Sequence, residues 1–115
     1  NILAGKNFSK NFEMDYWGNS NKMALEFISN KTNKKIKVSS ISTSDLNLSK
    51  KILKKEKRDL IDITGDIIEA DFIINNYRDW NGRIKPDNYP IPENFKILHE
   101  IKVDDVVINT IYEKK

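Results

Sequence analysis

Two short clusters combine residue types that could hold a ligand. Asp15-Tyr16-Trp17 sets a carboxylate beside two large aromatics, each with one polar handle. Aromatic faces stack on the apolar faces of sugars and a carboxylate accepts from their hydroxyls, so the trio could bind a glycan. Trp17 could equally close the core while Asp15 caps a turn, since aromatics beside a helix start commonly act as staples. The second cluster, Asn76-Tyr77-Arg78, follows a compact apolar run. At the end of a strand it would lie where open α/β sheets gather binding groups. Arg78 could grip a phosphate through two parallel hydrogen bonds, with Trp80 as a stacking surface nearby. The structural alternative pairs Arg78 with Asp15 or Asp79.

Lys50, Lys51, Lys54, Lys55, Lys57 and Arg58 form a basic run with Glu56 as the one acid inside it. The i,i+4 pairs Lys50–Lys54 and Lys51–Lys55 concentrate charge and weaken a helix slightly. Such a run suits an anionic lipid surface, where each basic residue adds about 1 kcal/mol. A solvated face in a lysine-rich chain is the plainer reading. Nucleic acid is disfavoured, because no aromatics interleave with the run and no RNA or DNA motif is present. Asn47-Leu48-Ser49, with Asp45 two residues before it, resembles the extended acceptor of bacterial N-glycosylation. That site would belong outside the cytoplasm and on a surface loop; in an Asn-rich chain, chance matches are also expected. Asn7-Phe8-Ser9 and Asn30-Lys31-Thr32 lack the acid.

Other chemistries are excluded. There is no cysteine, which removes disulfides and thiol chemistry, and His99 is the only histidine, which argues against zinc. The four glycines are dispersed and form no phosphate-cradling loop. No Ser-His-Asp order and no paired carboxylates stand out. The chain therefore reads as lacking a complete catalytic apparatus, a metal site and a cofactor.

The elements that must position these residues follow from periodicity. Residues 1–19 read as an entry loop anchored by Phe8 and Phe12, with Gly18 permitting a bend and Asn19 or Ser20 capping a helix. Met23, Ala24, Phe27 and Ile28 make a helical stripe over residues 20–31. Ile36, Val38 and Ile41 alternate as a strand, followed by a serine-rich loop from Ser39 to Ser44. Asn47 to Lys57 predicts a lysine-rich helix with Leu48, Ile52 and Leu53 facing inward. Leu60 to Ile63 predicts a short strand, and Asp66 to Ala70 a helical turn. Phe72 to Asn76 is the best candidate for a buried strand. Asn81-Gly82 and the prolines at 86, 90 and 92 mark a long irregular loop. Phe95–Val103 and Val106–Tyr112 alternate around Asp104-Asp105, which predicts a hairpin. The order implies an α/β fold: a small mixed sheet with two main helices and a C-terminal antiparallel hairpin.

At 115 residues the chain can build one modest core, and its net charge of +3 is mild. Both signs of charge are interspersed, so residues 1–115 read as a single soluble domain. No apolar run approaches the roughly 18 residues that span a bilayer. The chain begins at Asn1 without Met; the expectation is a fragment or processed product of a larger protein.

Four segments carry a resemblance in order along the chain. They are Asn1-Ile2-Leu3-Ala4-Gly5, Asp15-Tyr16-Trp17-Gly18-Asn19-Ser20, Ala70-Asp71-Phe72-Ile73-Ile74-Asn75-Asn76-Tyr77-Arg78, and Glu100-Ile101-Lys102-Val103-Asp104-Asp105 through Tyr112. Together they resemble the C-terminal extracytoplasmic domain of bacterial multi-spanning membrane glycosyltransferases related to dolichyl-phosphate-mannose–protein mannosyltransferases. Asp105 stands where that family has Gly. The resemblance implies a parent that moves sugar from a polyprenyl-phosphate donor to an acceptor at the periplasmic face of the inner membrane. Family catalysis uses acidic residues in loops of the membrane portion, so this chain would be inactive alone. Its expected partners are the membrane domain upstream, a glycan or lipid-linked sugar, and an anionic lipid surface. Asp15, Tyr16, Trp17, Asn76, Tyr77 and Arg78 would form the ligand surface. The alternative is a stand-alone α/β module that binds a protein or an anionic membrane surface.

Overall fold

The computed structural model describes residues 10–41, 46–77 and 91–115, with side chains from Asn19 onward. The elements are α1 (Lys10–Lys31), β1 (Ile36–Ser40), α2 (Leu46–Lys51), α3 (Lys55–Arg58), β2 (Ile61–Ile63), β3 (Phe72–Asn75), β4 (Phe95–Val103) and β5 (Val106–Lys114). The strands form one sheet in the order β2-β1-β3-β5-β4. β1 pairs in parallel with β2 and β3, and β5 pairs antiparallel with β3 and β4. The fold is thus a mixed α/β sheet with a C-terminal hairpin, as the periodicity predicts.

β3 lies at the centre of the sheet, and all four of its residues are buried. Covering on both faces is what an unbroken apolar run such as Phe72-Ile73-Ile74 requires. On one face, Val38, Phe72, Ile74 and Ile111 pack against Ala24, Leu25 and Ile28 of α1 and against Leu46 and Leu53. On the other, Ile41, Ala70, Ile73 and Phe95 form a second cluster with Tyr112. The polar connection before β3 is a tight turn: Ile68 N–H donates to Asp66 Oδ1 at 2.9 Å, and Glu69 N–H to Asp66 O at 3.2 Å.

α1 corrects the expected entry loop. It starts at Lys10, so Asp15, Tyr16, Trp17 and Gly18 lie within a 22-residue helix. A glycine inside a helix costs only about 1 kcal/mol against alanine. With no proline between residues 10 and 31, that cost is too small to stop a helix whose later turns are locked into the core. Asn19 and Ser20 are consequently interior residues, not caps. The buried stripe is also offset by one position. Ala24, Leu25 and Ile28 are fully buried, whereas Met23 is 44% exposed and Phe27 only half-buried.

The expected lysine-rich helix is two short helices. α2 ends at Lys51, and α3 begins after Lys54, which is extended (φ −60°, ψ 147°) and makes no side-chain cap bond. Leu53 is buried at the break, but Leu48 and Ile52 are 63% and 61% exposed, opposite to their expected inward orientation. Within α2, at 100° per residue, Leu46 and Ser49 lie about 60° apart and are buried, while Leu48 and Lys51 lie on the other side.

The β4–β5 turn is the two-residue hairpin expected of Asp104-Asp105. Both residues have positive φ, 50° and 66°, as the mirror-image turn that matches strand twist demands. Asp105 takes up that turn at a backbone cost that its Cβ imposes.

Candidate functional site

The carboxyl end of β3 gathers the polar residues that the strand was expected to present. Asn75 and Asn76 are buried, 6% and 2% exposed, and Tyr77 is half-buried with φ 61°. A positive φ at a bulky residue is costly and needs fixed partners. Tyr77 has two. Its N–H donates to Asn75 Oδ1 at 2.8 Å, and its hydroxyl shares a 2.6 Å hydrogen bond with Thr110 Oγ1 on β5. The pairing register puts Asn75 opposite Thr110, so β5 delivers that threonine to the strand end.

Thr110's neighbour on β5, Asn109, points to the other face, toward α1. Asn109 is fully buried, and its Nδ2 donates to Ser20 Oγ at 3.1 Å and Asn21 Oδ1 at 2.9 Å. Its Oδ1 is buried without a hydrogen-bond partner. Sequence reading missed this cluster, because polar residues within an alternating strand read as solvent-facing.

α1 runs in the same direction as β5: Ser20 meets Asn109, and Lys31 meets Glu113 at 3.9 Å. Its first turns therefore extend past Asn109 toward the end of the sheet where β3 stops. The backbone of Asp15, Tyr16 and Trp17 belongs to this stretch, whereas their side chains lie outside the described residues. So do Arg78, Asp79 and Trp80. Of the expected ligand surface, the described part is Asn76 and Tyr77.

The opposite end of the sheet carries an open groove of about 900 Å³ lined by Lys35, Lys37, Lys50, Arg58, Asp59, Asp62, Glu69 and Asp71. Its charges balance, and some are engaged. Asp71 Oδ2 accepts from the Lys37 N–H at 2.9 Å, and Lys37 Nζ lies 3.8 Å from Glu69. Lys50 and Arg58 were singled out in the sequence. Of the acids facing them, Asp59 follows Arg58 directly, whereas Asp62, Glu69 and Asp71 are scattered along the chain and are brought close by the parallel pairing of β1 with β2 and β3.

Within the basic run, Lys57 Nζ donates to Asn30 Oδ1 at 2.6 Å and Arg58 reaches Lys51 O at 3.4 Å. Lys51, Lys54 and Lys55 are exposed and make no ion pair among the described residues. His99 stacks on Phe27, with ring centroids 4.1 Å apart and planes 5° off parallel. Among the described residues no group of three or more potential metal ligands occurs. No helix among them is long and apolar enough to cross a membrane. Asn47 is exposed, but it lies within α2 and not on the expected loop, and Ser49, the third residue of its acceptor triplet, is buried. No family model, no curated protein and no solved structure matches the chain.

Proposed function

We propose that the chain is a non-catalytic extracytoplasmic domain of an integral-membrane glycosyltransferase that draws on a polyprenyl-phosphate donor. Its work there is to recognise the acceptor or glycan and to brace the membrane part. One observation supports this reading: the three resembling segments that reach into the described residues meet in the fold. Ser20 ends the segment that holds Asp15, Tyr16 and Trp17. Asn75 and Tyr77 belong to the strand segment, and Asn109 and Thr110 to the closing hairpin. Hydrogen bonds join Ser20 to Asn109 and Tyr77 to Thr110. Segments inherited as one domain are expected to pack against one another in this way.

The reading is tested first in the gene. The sequence upstream of the Asn1 codon should encode several apolar segments of about 20 residues each; their absence sinks it. In the folded full-length parent, Trp17→Ala and Arg78→Ala should each slow sugar transfer. Unchanged rates in both would remove the recognition role. The stand-alone docking module is the second reading, favoured by exposed Leu48 and Ile52 beside Lys51.

A further inference from the structure

We infer that the α2–α3 segment is a docking surface for an anionic lipid bilayer, with Leu48 and Ile52 entering the interface and Lys51, Lys54 and Lys55 held at its charged headgroups. The inference stands apart from the glycosyltransferase reading, since it rests on the outward face of this segment alone.

The buried side of α2 is accounted for. Leu46 and Leu53 are 2% and 5% exposed and belong to the main core. Leu48, on the outward side of α2, and Ile52, just past its end, are 63% and 61% exposed, with Lys51 between them in the chain. Other large exposed apolar residues, such as Ile68, Ile97 and Val106, lie elsewhere in the chain, on the turn before β3 and on β4 and β5. Two exposed aliphatic side chains next to a run of exposed cations are the composition of an interfacial amphipathic segment. Lysine stems lie along apolar surface while their ammonium groups stay in water, so Lys51, Lys54 and Lys55 can reach headgroups without being buried.

Charge selects the occupant. Residues 50–58 carry six cations and one acid. Lys51, Lys54 and Lys55 are without ion-pair partners among the described residues, so an anionic surface gains them at no cost in internal bonds. A nucleic acid would use the cations but not the aliphatic pair, since backbone contacts go to phosphates and base stacking needs aromatic faces. A bilayer with anionic headgroups uses both. With two aliphatic anchors and three to six cations, binding is reversible.

The test is co-sedimentation of the chain with vesicles of phosphatidylcholine containing about one third phosphatidylglycerol. The expected result is binding to these vesicles, weak binding to pure phosphatidylcholine, and release as salt rises from 50 to 500 mM. Leu48→Ser/Ile52→Ser should lower affinity at least about ten-fold. Lys51→Gln/Lys54→Gln/Lys55→Gln should lower it roughly a hundred-fold, at about five-fold per charge. All five positions are exposed, so both variants should keep the wild-type unfolding midpoint. Lys102→Gln, on the exposed side of β4, serves as the control and should bind like wild type. Failure to bind the anionic vesicles overturns the inference. So does an unchanged affinity in the Leu48→Ser/Ile52→Ser variant, or an equal loss with Lys102→Gln. Tighter binding to a duplex oligonucleotide than to the vesicles, insensitive to Leu48 and Ile52, overturns it in favour of nucleic acid.

Discussion

Replacing Tyr77 with phenylalanine isolates one atom at the carboxyl end of β3. The backbone there sits at φ 61°, a conformation that costs a residue with a Cβ about 1–2 kcal/mol. Phenylalanine pays the same strain and keeps the ring, so only the hydroxyl changes. That hydroxyl lies 2.6 Å from Thr110 Oγ1, and Thr110 is 1% exposed. Losing the bond removes about 1 kcal/mol, and leaving a buried hydroxyl short of a partner removes up to about 1 more. Tyr77→Phe should therefore lower stability by about 1–2 kcal/mol. At roughly 4 °C per kcal/mol for a chain of this size, the thermal midpoint should fall by about 4–8 °C. Urea unfolding at unchanged slope gives the number directly. A double-mutant cycle with Thr110→Val should return a coupling of about 1 kcal/mol, because either substitution alone already breaks the bond. An additive cycle, or a Tyr77→Phe variant within about 0.3 kcal/mol of wild type, would refute this account. It would also return the hydroxyl to the pool of groups that can meet a ligand. If the bond holds, Tyr77 can meet a ligand through its ring and not through its hydroxyl.

Two further outcomes follow from the same buried end of the sheet. Asn109→Asp should destabilise more than Asn109→Ala, which itself should cost about 2–3 kcal/mol in urea unfolding. The carboxylate would face Asn21 Oδ1, now 2.9 Å from the Asn109 amide, and an acceptor facing an acceptor in a fully buried site has no compensation. Asp105→Gly should stabilise by about 0.5–1 kcal/mol, since φ 66° at Asp105 suits glycine in a mirror-image turn. A lower thermal midpoint for that variant would show that the aspartate makes up for its strain elsewhere.

The sheet was legible in the sequence because its signals are local. Phe72-Ile73-Ile74 is an unbroken apolar run, and Asp104-Asp105 lies between two alternating stretches; each pattern admits few structures. The start of α1 was not legible. Gly18 and the aromatics before it carry loop statistics, but a helix long enough to be held by Ala24, Leu25 and Ile28 overrides a single glycine. The α2 segment failed for a different reason. Leu46 and Leu53 compete with Leu48 and Ile52 for the core, and the helix ends at Lys51, so no single helical stripe sets the orientation of Ile52 and Leu53. The choice between them is made by where β1 and β2 leave room, which no local pattern records. The Asn109 cluster was invisible because its partners, Ser20 and Asn21, lie 89 and 88 residues away.

These differences divide the domain's surfaces by what their polar groups already do. At the carboxyl end of β3, Tyr77 is the described residue of the nominated ligand surface whose polar groups are committed inside the fold, and the neighbouring Asn109 is committed likewise. Tyr77 holds Asn75 and Thr110, and Asn109 holds Ser20 and Asn21. A ligand that competed for those bonds would have to break internal ones, so substitutions there should be read first as losses of stability. On α2 and α3 the reverse holds. Leu48, Ile52, Lys51, Lys54 and Lys55 are exposed, and these lysines are without ion pairs among the described residues, so changing them leaves the fold intact. A scan that measures both unfolding and vesicle binding should therefore separate the two regions. Variants of Tyr77 and Asn109 should shift the unfolding midpoint while folded protein still binds, and variants of Leu48, Lys51, Ile52, Lys54 and Lys55 should do the opposite. A single region in which both properties fell together would mean that the docking surface and the β3 end are one site, and that the division drawn from their hydrogen bonds is wrong.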